Sequence, residues 1–253
     1  MDKLKLSSII VAKNEENNIG RCIDSQMDCI DEIIVMIDAS STDKTEEIVK
    51  SKKVTYYSVK WQGYAKTKQL ALEKTSNNWV LWIDADESLT PEIKAELNAF
   101  KYTSPKYAAY SVARRAFFLN KWIKHSGWYP ARVTRLFDKS KARFNDNNVH
   151  ENLVVDGETG KLANDLNHWT DPTIEHYLKK FNEYTSLAAK DLYEKGKPVS
   201  VIDLILRPFL MFLKMYFIKL GFLDGVHGFI LAVFSSAYVF TKYTKLWHLK
   251  KNN

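Results

Sequence analysis

Residues 32–43 read EIIVMIDASSTD. Positions 33–37 are a continuous apolar, β-branched run, the pattern of a strand covered on both faces rather than one alternating between core and water. The run stops at Asp38, and a polar turn follows at 39–43. Asp43 and Glu46 have capping-box spacing, which predicts a helix reaching about Ser51. Moving outward, the same unit recurs. Upstream, Leu6–Ala12 predicts another buried strand, then the polar loop KNEEN (13–17) and a short helix over 19–26. Downstream come a strand at 54–59, a helix at 65–75, a strand at 79–83 ending at Asp84, and a helix over 91–100 with Pro91 at its first turn. This alternation predicts an α/β fold: a mostly parallel sheet with helices on both faces and right-handed crossovers.

After Pro105 the pattern changes. Residues 107–119, 133–137, 148–155 and 162–166 look like strands between polar loops, which predicts an antiparallel extension. Helical periodicity returns over 173–195. Gly196-Lys197-Pro198 breaks it, and two amphipathic stretches follow at 201–220 and 224–249. The expected organisation is one domain over 1–172, divided near 104, and a C-terminal amphipathic helical region over 173–253.

Composition narrows the class. At 45% apolar and 26% charged the 253-residue chain can bury a core. Cys22 and Cys29 cannot make a disulfide scaffold, and no Cys/His cluster has zinc spacing, so a reduced, cytoplasmic setting is expected. The first sixteen residues become charged too early for a secretory signal. Of the net charge of +7, most sits in residues 197–253, which hold eight Lys/Arg against Asp203 and Asp224. Basic residues beside apolar faces favour an anionic membrane surface over nucleic acid. The longest charge-free run, 225–241, is seventeen residues, short of the roughly 20 that a spanning helix wants. Helices lying on the inner face of the cell membrane are therefore expected, not one crossing it.

Ligands of parallel α/β sheets gather beyond the carboxyl ends of strands. Three polar loops fall there: Lys13–Glu16, Asp38–Asp43 and Asp84–Glu87. Neither G-x-G-x-x-G nor a P-loop is present. A diphosphate would then be neutralised differently, and a divalent cation on the aspartates of Asp84-Ala-Asp86 is the direct way.

These parts occur in the order and spacing of family 2 glycosyltransferases: the KNEEN loop, Asp38 with SSTD, GYAKTKQLAL at 63–72 and WIDADE at 82–87. The chain resembles that family over nearly its whole length. Arg114-Arg115, Asn120–Ile123, His125–Pro130, Arg135-Leu136-Phe137, Val149-His150-Glu151, Gly221–Gly225 and Lys242-Tyr243 are similar to the branch that includes bacterial lipopolysaccharide-core glucosyltransferases. The resemblance implies a GT-A (Rossmann-like) fold, with 1–104 as the nucleotide-binding half and 105–172 as the acceptor side. It implies inverting transfer from a nucleotide-diphosphate sugar, UDP-glucose by analogy, to a lipid-linked or lipopolysaccharide-core acceptor, with Mn2+ or Mg2+.

Carried over residue by residue, Asp38 would bond the base of the nucleotide, with Lys13, Asn14 and Glu15 lining the same pocket. Lys68, or Lys66 as its rival, would sit near the diphosphate. Asp86 would bind the metal, Asp84 would support it, and His168 is a further candidate ligand. Glu151 would be the catalytic base and His150 its neighbour or substitute, with Asp146 and Asp156 as fallbacks. Arg132 and Arg135 could grip phosphates through bidentate bonds, and Trp128 and Tyr129 could stack on a sugar. Two other readings compete. A sugar nucleotidyltransferase is disfavoured because KNEEN replaces its glycine-rich N-terminal signature. A non-catalytic membrane-bound carbohydrate-binding scaffold is disfavoured because Asp38, Asp84, Asp86 and Glu151 are all present.

Overall fold

The computed structural model describes residues 3–145 and 153–251. In chain order the strands are β1 (Leu6–Ala12), β2 (Glu32–Asp38), β3 (Thr55–Val59), β4 (Trp79–Trp82), β5 (Glu87–Leu89), β6 (Ala109–Phe118), β7 (Lys121–Trp122), β8 (Ala131–Asp138), β9 (Ala142–Phe144), β10 (Leu153–Val155) and β11 (Thr159–Asp171). The helices are α1 (Ile19–Asp24), α2 (Thr45–Ser51), α3 (Tyr64–Glu73), α4 (Pro91–Phe100), α5 (Ile174–Glu194), α6 (Val201–Leu213) and α7 (Val226–Lys251). The described residues form two compact units. One runs to Arg114 and resumes over Ala131–His168; the other comprises Arg115–Pro130 and the chain from Trp169 onward.

The main sheet has the order β3-β2-β1-β4-β8-β6-β11-β5, with β7 on β6. The pairs β2–β3, β1–β2 and β1–β4 are parallel; β8 on β4, β6 on β8 and β5 on β11 are antiparallel. The chain winds outward from β1 to β3 and then returns to β4 on the other side of β1. Strand order therefore reverses between β1 and β4, the place where such sheets hold ligands.

Side-chain alternation divides the core between two faces. Ile10, Val35, Leu81 and Leu136 join Ile19, Cys22, Ile93 and Leu97 on one side. Their neighbours Ile9, Ile34, Val80 and Phe137 join Ala71 and Leu72 on the other. Burying each of the isoleucine, leucine, valine and phenylalanine side chains contributes about 1.5–3 kcal/mol. This two-sided demand is why β1 and β2 read as unbroken apolar runs. Helix α4 begins as expected, with Pro91 at its start and the Thr90 hydroxyl accepting from Ile93 N.

Several local expectations are corrected. The capping box does not form. Asp43 accepts from Thr45 N at 3.0 Å and Glu16 N at 2.9 Å, while Glu46 pairs with Lys50 at 2.9 Å. The strand expected at 162–166 extends over all thirteen residues of β11. Of the strand expected at 148–155, the described part pairs with β9 in a separate two-stranded sheet. The stretch 201–220 is not one helix: α6 gives way to a π-helical turn, Lys214–Ile218, and Leu220 takes φ 55° before a 3-10 turn, Gly221–Asp224.

The second unit has its own core of Phe118, Ile123, Met215, Leu231 and Ala232. Its turns are tight: a Cβ on Gly228 would meet the Gly221 carbonyl oxygen at 1.9 Å. Asp224, 3% exposed, reaches back across the unit. It accepts from Lys124 N at 3.1 Å, His125 N at 2.9 Å and Ser126 Oγ at 3.4 Å, and pairs with His125 Nδ1 at 3.1 Å. Its carbonyl accepts from Lys121 Nζ at 2.8 Å. Among the described residues, no helix is long and apolar enough to cross a membrane.

Candidate active site

The loops after β1 and β2 are stitched together by the polar residues that interrupt the apolar runs. Asn14, at φ 53°, accepts from Thr42 N at 2.9 Å, and Glu15 N donates to Thr45 Oγ1 at 2.7 Å. Asp38 closes β2 at 1% exposure, bonded by Lys13 Nζ at 2.7 Å and Ser40 N at 2.9 Å. Burial alone would raise its pKa, but these bonds outweigh it and hold the carboxyl below its usual value. Lys13, Asn14, Glu15 and Asp38 are thus brought together.

The second cluster stands at the end of β4. Asp84 accepts from Arg135 Nη2 in a close ion pair and lies 3.6 Å from Lys68 Nζ. Trp82 Nε1 donates to it at 3.1 Å, and the Trp82 ring lies 4.0 Å from Lys68 Nζ and 4.2 Å from the Arg135 guanidinium. Glu87, fully buried, accepts from Arg135 at 2.7 Å and from Asp84 N at 3.1 Å, with Arg114 Nη1 at 3.5 Å. Burial works against the Asp84 charge, but Arg135 and Lys68 hold its carboxyl well below the carboxylate range. Burial equally opposes the Arg135 charge, yet Asp84 and Glu87 push that guanidinium above its ordinary value. Beneath, the buried Cys22 thiol donates to Asp84 O at 3.5 Å. Burial and then Glu87 raise its pKa, which leaves it inert.

A cavity of about 410 Å³ opens beside this cluster, lined by Trp82, Asp84, Arg114, Arg132, Thr134 and Arg135. Arg132 is aimed by two carbonyls, Ser111 O at 3.2 Å and Leu162 O at 3.1 Å. Lys68, Arg114, Arg132 and Arg135 outnumber Asp84 and Glu87, so positive charge is in excess around the cavity. An anionic diphosphate suits such a wall.

Asp86 turns elsewhere. Its Oδ2 is 3.4 Å from His168 Nε2, both side chains about one-fifth exposed, because β5 and β11 pair Glu87 with His168. A carboxylate and an imidazole this close fit a divalent cation whose remaining shell comes from phosphate and water. Among the described residues no group of three or more such ligands assembles.

Other expected residues fall outside these clusters. Lys66 is exposed on α3, while Lys68 is buried. Asp156 is exposed in the turn between β10 and β11. Trp128 and Tyr129 belong to the second unit, where they pack edge-on against Phe118 and Trp122. Asp146, His150 and Glu151 lie outside the described residues. Glu87 and Arg114 were not expected in the site. The acidic letter closing DADE and the first arginine of Arg114-Arg115 were their signals.

This arrangement, with its polar loops at the β1–β4 reversal and an arginine-lined cavity, is that of a glycosyltransferase with a GT-A fold. Residues 7–157 match the sequence profile of Glycosyl transferase family 2, and the chain belongs to that family. It is 32% identical over 252 residues to the lipopolysaccharide core biosynthesis glycosyltransferase LpsC of Rhizobium meliloti, covering 97% of this chain and 93% of that one. An uncharacterised glycosyltransferase of Rickettsia prowazekii is also 32% identical, over 96% of this chain and 86% of its own. Among solved structures, the mannosyltransferase PcManGT of Pyrobaculum calidifontis, in complex with GDP-Man and Mn2+, shares the fold. Its TM-score is 0.56 at 14% identity, covering 97% of this chain and 87% of that one.

Proposed function

We propose that this glycosyltransferase inverts the anomeric centre as it moves a sugar, glucose from UDP-glucose, onto a lipopolysaccharide-core or other lipid-linked glycan. The observation that carries the reading is the cation-lined cavity beside the end of β4, with the Asp86–His168 pair on the loop that follows Asp84. The kinship with LpsC supports the acceptor class.

Asp38 and the Lys13–Glu15 loop bind and orient the nucleotide. Arg114, Arg132 and Arg135 face the diphosphate and hold its charge as it leaves. Glu87 and Asp84 keep Arg135 in place. Asp86 and His168 would hold Mn2+ or Mg2+, whose charge neutralises the diphosphate when bound. Glu151, with His150 beside it, takes the proton of the acceptor hydroxyl. That oxygen bonds to the anomeric carbon as the bond from carbon to diphosphate oxygen breaks, releasing the nucleoside diphosphate.

The tail lies on the inner face of the cell membrane. Ile202, Ile205 and Phe209 of α6, Phe217 and Ile218 of the π turn, and Leu223 and Val226 are each more than half exposed. Leaving so much apolar surface in water is costly unless something covers it. A donor screen that reads nucleoside diphosphate release, with and without Mn2+ or Mg2+, tests the enzyme. Release that is greatest with UDP-glucose and depends on metal and acceptor is expected. A different donor would correct the sugar, and metal-independent release would remove the cation.

A further inference from the structure

A second cavity, of about 450 Å³, lies wholly within the helical unit. Lys214, Lys219 and Lys242 line it, and no carboxylate does. The carboxylates of Asp203 and Asp224 are taken elsewhere, by Arg207 and by the 124–126 backbone and side chains. None of the three lysines has an ion pair among the described residues. Lys219 lies across Gly127, where an added Cβ would sit 3.6 Å from its Cγ. Burial, and then Arg207, lower the pKa of Lys242, so a counter-anion would be favoured there. Trp128, Met211, Met215 and Val239 form an apolar part of the wall, beside the hydroxyls of Ser126, Ser235, Tyr177 and Tyr238.

Three lysines without ion pairs, lining one cavity beside methionines and an indole, suit one group that is anionic at one end and hydrocarbon at the other. We propose that this cavity binds the phosphate headgroup of an anionic membrane lipid, with Lys214, Lys219 and Lys242 on the phosphate and Trp128, Met211 and Met215 against the adjoining carbons. A free anion would leave the apolar wall without purpose. Lys214 directly follows α6, so a bilayer meeting the exposed face of that helix would bring headgroups to the cavity mouth. The inference rests on the membrane reading of α6 for its lipid source.

The test uses the full chain and dihexanoyl phosphatidic acid below its micellar concentration, titrated by calorimetry. Saturable binding is expected, weakened on the order of tenfold or more in the double variant Lys214→Gln/Lys242→Gln. Donor hydrolysis by that variant should be unchanged, which shows that it is folded. Unchanged affinity in the variant, or no binding by the wild type at millimolar lipid, would overturn the site. Equal displacement by inorganic phosphate at the same concentration would overturn the lipid and leave an anion site. A parallel pair, Ile205→Gln/Phe209→Gln, should lose binding to phosphatidylcholine vesicles containing phosphatidic acid yet keep the soluble lipid. If it keeps the vesicles, the membrane reading of α6 fails, while the soluble-lipid titration still decides the cavity.

Discussion

Asp86 and Glu87 are adjacent and both acidic, yet Asp86 in the turn before β5 meets His168 while Glu87, the first residue of β5, is buried on Arg135. Asp86→Ala should therefore remove metal-dependent turnover, on the order of a thousandfold in rate, and leave the fold intact. Steady-state kinetics across a manganese titration, with an EDTA control, checks this; full activity in the variant would remove Asp86 from the site. Glu151→Gln should lower kcat by roughly a hundred- to ten-thousandfold with donor affinity retained. Asp38→Ala should instead weaken donor binding, because Lys13 loses its partner at the nucleotide loop. Calorimetric donor titrations of both variants separate the two roles, and a swapped pattern would reverse them. Arg135 offers a test of the charge cluster. Arg135→Met strands Asp84 and Glu87 without their shared cation, and breaking a buried pair costs about 3–5 kcal/mol. Because the folded pKa of Asp84 is depressed, its stabilisation is full above about pH 4 and fades as pH falls through the folded value. The variant should unfold at lower denaturant at pH 7 and lose less further stability on acidification, measured by circular dichroism. Equal acid sensitivity in both proteins would show that Arg135 does not set the Asp84 charge. The choice between Lys66 and Lys68 was open in the sequence, but its signal was there: Ala65, Lys68, Ala71 and Leu72 are buried at helical spacing.

At the scale of elements, strands buried on both faces were the most legible. Their apolar runs exceed anything a solvent-facing strand would tolerate, and β1, β2 and β4 stand where those runs predict them. Some of the three-residue strands were illegible for a matching reason. β5 and β9 are too short to show a period, and only their partners define them, while β10 is the described end of the strand expected at 148–155. The tail was half legible. Its apolar spacing gave α6, but Pro208 within the helix and the π turn after it follow from packing that no periodicity encodes. Helix α6 also carries its own prediction. Residues 202, 205, 206, 209 and 210 make one apolar flank, and Arg207 and Lys214 border it. Replacing Ile205 and Phe209 by glutamine removes two of the largest exposed groups on that flank. Co-sedimentation with anionic vesicles should fall by roughly tenfold or more, at about 1.5–3 kcal/mol per buried side chain. Undiminished sedimentation would mean that α6 does not touch the bilayer.

At the scale of the whole molecule, the division of the chain could not be read locally. Residues 115–130 look like part of the strand-rich middle, yet they belong with the C-terminal helices, because Asp224 holds them from 98 to 103 positions away. Pairings of that sequence separation leave no trace in composition or period. Asp224→Ala would leave part-buried backbone donors at Lys124 and His125 unpaired, at no more than about 1–3 kcal/mol each. Limited proteolysis should then cut within 119–130 faster than in the wild type, while donor binding by the β1–β4 loops persists. Equal cleavage rates would show that the loop is held by its aromatics alone. The clamp also sets an order of events during synthesis. At 5–20 residues per second, the hundred residues between His125 and Asp224 take roughly 5–20 seconds to leave the ribosome. Throughout that interval Trp122, Trp128 and Tyr129 are translated without the Asp224 clamp and have only β6 and one another to pack on. A stop codon anywhere before Asp224 would make the loss of that clamp permanent.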